Sequence, residues 1–152
     1  MTDKTIAHER VEMARKGENP WVICQMPSGW AVMCDKQVQP GQIILLSDPC
    51  VYSLNDLSGN ARAQYLADMA LIGDALLEAT DAYRINYEIL GNTDQVLHAW
   101  IIPRYMSETD EKRAHPIWFY DWHGSADFSE EEFGALRDKI RVAIEKRIPA
   151  EV

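Results

Sequence analysis

Residues 83–105 read YRINYEILGNTDQVLHAWIIPRY, and this stretch decides the fold of the chain. Its first part, Tyr83–Ile89, mixes aromatic and β-branched residues, and its last part, Leu97–Ile102, is almost wholly apolar; both patterns favour β-strands. The tetrad Gly91–Asp94 between them is typical of a turn, because Gly and Asn tolerate positive φ. The stretch therefore predicts two strands joined by a polar loop.

A single imidazole, that of His98, lies in the middle of the second predicted strand. Side chains alternate between the two faces of a strand, so His98 shares a face with Trp100 and Ile102. A polar group embedded there must find a hydrogen-bond partner or open onto a cavity. Taken alone, the strand favours a core histidine bonded to a backbone carbonyl, and a functional histidine is the second interpretation.

The rest of the chain supplies further apolar runs and three helical segments. The predicted strands cover residues 21–26, 30–34, 42–46, 83–89 and 97–102. The predicted helices are a short one over 6–16 that packs as a lid or edge element, a long one capped by Ser58 or Asn60, and a C-terminal one opened by the capping box Ser129–Glu132. This order predicts an α+β fold, in which an antiparallel sheet of about five strands packs on the long helix.

Three segments carry more specific expectations. The buried stripe of the long helix is predicted at Leu66, Met69, Ile72 or Gly73, and Leu76. Residues 107–113 are charged and predict a solvated loop. Residues 115–123 form the most aromatic stretch of the chain, and a hydrophobic clasp, a dimer contact and a purine-stacking surface all stay open as its role.

Length and composition indicate a single domain over residues 1–152, with its core at about 21–105 and a C-terminal part over 106–152. An apolar fraction of 47% argues against disorder. No apolar run approaches the ~20 residues that span a bilayer, and the N-terminus lacks the pattern of a signal peptide, so a cytoplasmic protein with no membrane partner is expected. The three cysteines show no CxxC spacing, which indicates neither a disulfide framework nor a zinc knuckle.

The net charge of −9 argues against a nucleic acid polymer as partner, because that binding relies on clusters of basic residues. No stripe of Lys or Arg interrupts the acidic composition. A small phosphorylated ligand remains compatible with this charge, since one arginine and a few backbone amides suffice for a single phosphate.

Two groups of residues resemble the signature of the histidine triad (HIT) superfamily. The first is His98–Arg104, reading HAWIIPR, with Asn-x-x-x-x-Gly-Asn upstream at Asn86–Asn92; the second is Cys34–Leu46, with Asp35 and Pro-Gly before an apolar strand. The family pattern is His-φ-His-φ-His-φ-φ, where φ is apolar. Its histidine positions fall on Val96, His98 and Trp100, so the chain resembles a degenerate member that keeps the central histidine alone.

The resemblance implies roles for individual side chains. In the family the central histidine is the nucleophile that takes a nucleotidyl group from a phosphate ester or anhydride, and His98 has that position. One of its ring nitrogens must be free, so the other is expected to bond a backbone carbonyl or a similar acceptor. An acid at the position of Asp35 binds the ribose hydroxyls. Asn86 and Gln95 are expected to donate hydrogen bonds to the phosphate. With them, the expected substrate contacts besides Asp35 are Asn86, Asn92, Thr93, Gln95, Trp100 and Cys50.

The expected function is a HIT-like nucleotidyl hydrolase or transferase that acts on a small nucleotide phosphoester, anhydride or phosphoramidate through a nucleotidyl-histidine intermediate. One alternative is a non-catalytic nucleotide-binding or interaction protein on the same scaffold, which Val96 and Trp100 favour. Another is a structural dimer with no nucleotide site. His115 or His123 is a candidate substitute for a missing histidine, although their spacing from His98 matches no metal-ligand motif. No cofactor or metal is expected, and the resemblance implies a homodimer.

Overall fold

The structure is a computed structural model and describes residues 3–149. Within that range the helices are α1 (Ile6–Arg15), α2 (Gly59–Ala79), α3 (Asp110–Arg113) and α4 (Glu130–Glu145). The strands are β1 (Val22–Met26), β2 (Gly29–Met33), β3 (Lys36–Gln37), β4 (Ile43–Ser47), β5 (Arg84–Glu88), β6 (His98–Arg104) and β7 (Ala126–Asp127). Short 3₁₀ turns occupy Leu54–Asp56 and Ile117–Phe119.

The main sheet is antiparallel, with five strands in the order β1-β2-β4-β6-β5. Strand β6 lies between β4 and β5, so His98 is opposite Leu46, and Trp100 is opposite both Ile44 and Glu88. The predicted α+β class, with five antiparallel strands and a long helix, is confirmed. A second, two-stranded ribbon pairs β3 with β7 and was not predicted, because each of its strands has only two residues.

One face of the main sheet packs on α2 and α4. Tyr65, Ile72 and Leu76 of α2 are fully buried in one cluster with Ala99 and Ile101, the residues of β6 that alternate with His98 and Trp100. Burial of apolar side chains on this scale is the main favourable term in folding. The apolar alternation of β6 therefore directs its other face, with His98, away from this core.

The buried stripe of α2 contains Tyr65 in place of the predicted Leu66, which is 44% exposed. Tyr65, Met69, Ile72 and Leu76 follow the spacing of one helix face. The tyrosine is stable in the core because its hydroxyl donates a hydrogen bond to the carbonyl of Leu45 at 2.8 Å. The prediction at Leu66 is wrong because the burial of Tyr65 depends on a hydrogen-bond acceptor on β4, which is distant along the chain.

Helix α1 packs over the opposite face of the sheet, the face that carries His98 and Trp100. Ala7 and Val11 of α1 are buried in a second cluster with Val32, Leu46 and Val96. At its C-terminal end, Arg15 donates to the carboxylate of Asp48. The short N-terminal helix is thus a cover over one end of this face, as a lid-type element would be.

The chain after β6 is anchored by a buried ion pair between Arg104 and Glu108, whose side chains are each 3% exposed. Arg104 also donates to Asn86 and to the carbonyls of Lys112 and His115. The predicted solvated loop over 107–113 is therefore wrong: Glu108 is buried and residues 110–113 form α3. The guanidinium offsets the cost of burying a carboxylate, and composition alone does not reveal such a partner.

Among residues 3–149, no helix combines the length and the apolar character that crossing a bilayer requires.

Candidate functional site

The imidazole of His98 is held by the backbone two residues earlier. Its Nδ1 lies 2.6 Å from the carbonyl oxygen of Val96. A carbonyl only accepts, so Nδ1 carries the hydrogen and donates it, which leaves the lone pair of Nε2 available. Nε2 makes no hydrogen bond with any residue in the described part of the chain. The ring is half-buried and therefore oriented while one nitrogen remains able to react.

His98 borders two separate pockets. The first, here called the α1 pocket, has a volume of about 270 Å³ and is lined by Ile6, Ala7, Arg10, Val32, Met33, Asp35, Ile44, Leu46, Asp94, His98 and Trp100. The second, the Tyr52 pocket, has a volume of about 360 Å³ and is lined by residues 52–55, 89–92, 95, 97 and 98. These volumes are close to the range of small-molecule sites, roughly 300–1,000 Å³.

Asp35, the expected ribose ligand, lines the α1 pocket together with His98. Its side chain is 59% exposed and pairs with Arg10 of α1 at 3.4 Å. The guanidinium of Arg10 also lies over the ring of Trp21, 3.9 Å from its centroid. These two contacts hold the guanidinium of Arg10 on the α1 side of the pocket. The carboxylate of Asp35 beside it remains accessible to solvent.

Asp94 is a pocket residue that sequence reasoning missed. Its Oδ2 accepts a hydrogen bond from the backbone N–H of Ala7 at 3.0 Å, which ties the loop before β6 to the first turn of α1. Its Oδ1 is buried and has no hydrogen-bond partner among residues 3–149. A buried carboxylate oxygen without a partner is costly, so a ligand donor that reached this atom from the α1 pocket would bind favourably. In the sequence Asp94 reads as an ordinary turn residue, because its partner is far away along the chain.

Only some of the residues predicted to contact phosphate line a pocket together with His98. Asn92 and Gln95 line the Tyr52 pocket together with His98. Thr93 is exposed and lines neither pocket that His98 borders. Asn86 lies in a different pocket, where its Oδ1 accepts from Nη1 of Arg104 at 2.8 Å. The structure does not bring Asn86 or Thr93 to His98.

Cys50 is half-buried against the cluster that α1 forms with β2 and β4, and it lines neither pocket of His98. Burial raises the pKa of its thiol, with the nearby carboxylate of Asp48 adding to the effect. The group is therefore a neutral packing side chain at physiological pH.

Trp100 connects His98 to the aromatic segment over residues 115–123. Its ring lies edge-on to the imidazole, with centroids 5.9 Å apart, and lines the α1 pocket. Trp100 also makes edge-to-face contacts with Trp118 and Trp122, whose ring centroids lie 5.1 Å and 5.7 Å from its own. The indoles of Trp118 and Trp122 stack on each other with their centroids 4.8 Å apart. The aromatic segment therefore packs against the strand that carries His98, and the indole of Trp100 leaves His98 open to both pockets.

The candidate substitutes His115 and His123 line neither pocket that His98 borders. His115 stacks on Phe119 at 4.7 Å and lines the pocket of Arg104. His123 is exposed. In the part of the chain that the structure describes, no group of three or more His, Cys, Asp or Glu side chains is arranged to hold a metal ion.

No family model and no curated protein matches the sequence. Solved structures do match. A histidine triad protein from Sinorhizobium meliloti has a TM-score of 0.71 at 21% identity, covering 86% of this chain and 93% of its own. A histidine triad protein from Bradyrhizobium japonicum has the same TM-score of 0.71 at 21% identity, covering 86% of this chain and 95% of its own.

A hypothetical histidine triad nucleotide-binding protein from Sulfolobus tokodaii also has a TM-score of 0.71, at 15% identity, and covers 91% of this chain and 92% of its own. Its similarity extends over nearly the whole of both chains. At such low identities, agreement of this kind establishes architecture and leaves chemistry to be argued from the site. The chain therefore has the fold of the histidine triad proteins.

Proposed function

We propose that the protein is a nucleotidyl hydrolase or transferase that acts on a small nucleotide through a covalent intermediate on His98. The observation that carries the proposal is the imidazole itself: Nδ1 is bonded to the Val96 carbonyl at 2.6 Å, and the ring borders two pockets. A sealed core histidine would need no such openings. Nucleophilic catalysis requires this combination of a fixed ring and an available lone pair.

The reaction divides into two displacements at phosphorus. In the first, the Nε2 lone pair of His98 forms a bond to phosphorus, and the bond to the leaving group breaks with its electron pair on that group. In the second, the oxygen of water, or of another acceptor, attacks the same phosphorus and loses its proton to solvent. The N–P bond breaks and its electrons return to Nε2, which restores the neutral imidazole.

The α1 pocket is the proposed nucleoside site. Its walls are mainly apolar, with Val32, Ile44 and Leu46 on the sheet side, and such walls suit the faces of a base. Asp35 and the unpaired Oδ1 of Asp94 supply acceptors for hydroxyl or N–H groups of the nucleoside. The Sulfolobus protein of the same fold is named as nucleotide-binding, which supports a ligand of this class.

Stabilisation of the phosphoryl oxygens is the weakest part of the proposed site. Asn92 and Gln95, which line the Tyr52 pocket with His98, are the proposed amide donors. Val96 has no donor in its side chain, and Trp100 has a single indole N–H. Loss of one donor to a developing oxyanion costs about 3 kcal/mol in other enzymes, so turnover is expected to be slow compared with that of a complete triad.

The test is turnover by the wild type and by His98→Ala on a panel of dinucleotides, nucleoside phosphoesters and nucleoside phosphoramidates. Saturable turnover that His98→Ala abolishes, with a nucleotidyl adduct detected on the wild-type chain by mass spectrometry, is expected. His123→Ala is the matched control, because it removes an exposed imidazole outside both pockets. Turnover that survives in His98→Ala contradicts the proposal.

The second candidate function is nucleotide binding without catalysis. Val96 and Trp100 favour it, because they replace the flanking histidines of the family signature. In that case a nucleoside monophosphate binds with similar affinity to the wild type and to His98→Ala, while neither protein turns over any member of the panel.

A second copy of the chain is the proposed protein partner. Strand β5 lies at the edge of the sheet, where its outer backbone groups have no neighbouring strand in the described chain. Exposed apolar side chains lie on β5 and α2, namely Tyr87 at 43%, Leu66 at 44% and Leu77 at 45% exposure. An edge strand beside exposed apolar groups is suited to pairing with another copy.

A further inference from the structure

We infer that Arg10 of α1 binds the phosphoryl group of the substrate, and that its guanidinium leaves the carboxylate of Asp35 when a nucleotide enters the α1 pocket. The inference rests on the proposed function, because it adds a phosphate-binding residue to the same site. It gives α1 a part in the reaction besides covering one end of the sheet face.

Arg10 lies on the face of α1 that packs against the sheet. The buried residues of this helix are Ala7, Val11 and Ala14, and Arg10 follows the first of them by three residues, so it shares their side of the helix. Its side chain is only 25% exposed, whereas arginines are mostly exposed in folded proteins. The packing of α1 therefore brings a positively charged side chain to the wall of the pocket that His98 borders.

The first turn of α1 is tied to the segment that leads into His98. The N–H of Ala7 donates to Oδ2 of Asp94 at 3.0 Å, and Asp94 lies in the loop directly before β6. Arg10 comes one helical turn after Ala7, so the same hydrogen bond sets its position relative to the imidazole. Arg10, Asp94 and His98 all line the one pocket.

Arg10 supplies the positive charge of this pocket. Among the described residues it is the only Lys or Arg that lines either pocket of His98, and the carboxylates of Asp35 and Asp94 lie in the same lining. Without Arg10, a phosphate would meet two negative charges in a chain whose net charge is −9. Arginine is suited to this position because its planar fork donates two parallel hydrogen bonds to phosphate oxygens.

The present contacts of Arg10 leave most of its hydrogen-bonding capacity unused. Within the described chain its guanidinium donates one hydrogen bond, from Nη2 to Oδ2 of Asp35 at 3.4 Å. Bonds between a guanidinium and a carboxylate are ordinarily about 2.7–2.9 Å long. Asp35 is also exposed, so water competes for its oxygens. The pair is therefore weak, and exchange of Asp35 for a phosphate is favourable.

The exchange of partners satisfies both side chains. Once the guanidinium contacts phosphate, the oxygens of Asp35 accept from hydroxyl groups of the nucleoside. The ring of Trp21, 3.9 Å from the guanidinium, keeps the cation on this wall of the pocket with either partner. During the displacement at phosphorus, Arg10 donates hydrogen bonds to the oxygens on which negative charge develops, and it transfers no proton.

The experiment measures dissociation constants for two pairs of probes: adenosine with its 5′-monophosphate and guanosine with its 5′-monophosphate. In the pair that binds more tightly, the wild type is expected to prefer the monophosphate by about tenfold, as a hydrogen bond between charged groups supplies. Arg10→Gln removes the charge and the fork, so it should abolish this preference while the affinity for the nucleoside changes by less than about twofold. Arg10→Lys keeps the charge and should retain part of the preference.

Arg15→Gln is the matched control. Arg15 lies on the same helix, pairs with Asp48 and lines neither pocket, so its substitution removes an equal charge and weakens the attachment of α1 without reaching the probe. Its preference for the monophosphate should equal that of the wild type. A loss of preference in Arg15→Gln as large as that in Arg10→Gln would show a purely structural role and overturn the inference.

Asp35→Asn tests the exchange of partners. It removes the carboxylate that competes for Arg10, so the preference for the monophosphate should increase. In the Arg10→Gln background the increase should be clearly smaller, because only the general loss of a negative charge remains. An equal increase in both backgrounds would show that the two side chains act independently and would overturn the inference.

Turnover separates this inference from the proposed function. If the wild type turns over a member of the substrate panel, Arg10→Gln is expected to lower kcat by about 100-fold, as loss of one oxyanion donor does in other enzymes, while Arg15→Gln leaves it unchanged. An unchanged kcat or an unchanged binding preference in Arg10→Gln overturns the inference and leaves the function in place. If nothing is turned over, the function fails, and the binding preferences still decide the role of Arg10. If neither monophosphate binds the wild type, both fail.

Discussion

At the scale of single residues, the orientation of His98 does not depend on the side chain at position 96. The acceptor for Nδ1 is the backbone carbonyl of Val96, which a residue of any type supplies. A residue of any type at position 96 therefore holds the same tautomer and direction of the ring. The side chain of Val96 has no donor, so in the proposed reaction this position orients the imidazole and does not stabilise developing charge on phosphate oxygens.

Asp94 gives a prediction at the same scale. In Asp94→Asn, the amide oxygen is expected to keep the hydrogen bond from the Ala7 N–H, which puts the NH₂ group at the buried position of Oδ1. A donor then replaces the acceptor Oδ1, so the affinity for a nucleoside monophosphate is expected to fall by about 1–3 kcal/mol, or roughly tenfold or more. Isothermal titration calorimetry measures the change.

The matched control for Asp94→Asn is Asp35→Asn, which neutralises a carboxylate that is 59% exposed on the same pocket. A smaller loss is expected there, because water competes for an exposed acceptor. A dissociation constant for Asp94→Asn equal to that of the wild type, with unchanged melting temperature, would show that Oδ1 does not contact the ligand.

At the scale of elements, the contact of Arg104 with Glu108 joins the end of β6 to the turn before α3. Glu108 accepts from Arg104 Nη2 at 2.8 Å, from the Tyr105 N–H at 2.7 Å and from the Tyr120 hydroxyl at 2.8 Å. Burial alone would raise the pKa of Glu108, but these hydrogen bonds outweigh it and hold the pKa below its ordinary value. The carboxylate is therefore charged in the folded protein.

Glu108→Gln is expected to reduce the free energy of unfolding at neutral pH by about 3 kcal/mol, because it leaves the buried guanidinium of Arg104 without its counter-charge. The folded-state pKa is lowered, so the stabilisation by Glu108 is complete above the unfolded pKa, about 4.3, and declines as pH falls through the folded pKa. The difference between wild type and Glu108→Gln should therefore shrink in acid.

Urea unfolding of both proteins at several pH values measures this difference. Glu111→Gln is the control, since Glu111 is exposed on α3 and its substitution should change stability by less than about 0.5 kcal/mol. A loss in Glu108→Gln that is the same at pH 7 and well below pH 4 would contradict an ionised Glu108 in the folded state.

At the scale of the whole molecule, the edge strand β5 and the exposed apolar residues of α2 predict self-association. Tyr87→Lys adds a charge at the sheet edge and is expected to convert a dimer into a monomer, because edge lysines oppose strand pairing. Size-exclusion chromatography with light scattering at micromolar concentration gives the mass. Val142→Lys, at an apolar position of α4 that is 65% exposed, is the control and should leave the mass unchanged.

A wild-type mass of 17.4 kDa at all concentrations tested would contradict this prediction.

Local pattern sorted the residues of β6 between the two faces of the strand. Alternation along residues 97–102 predicted that His98 and Trp100 share one face and Ala99 and Ile101 the other, and the structure packs the second face on α2. Asn92 and Gln95 of the preceding turn line one pocket with His98. Asn86 was expected there as well, but the nearby Arg104 binds its side chain. Local reasoning ends at this point, because it contains no information on which distant side chain competes for a donor or an acceptor.

The sequence by itself determined the strands of the sheet, their order along the chain and which residues of β6 share a face with the imidazole, because hydrophobic periodicity and turn residues act between neighbours along the chain. Only the tertiary structure decided the burial of Asp94 Oδ1, the ion pair of Arg104 with Glu108, and the two pockets at His98. Each of these depends on segments far apart in the chain that meet only after the apolar faces are buried, and a buried polar group takes its properties from the partners it meets there.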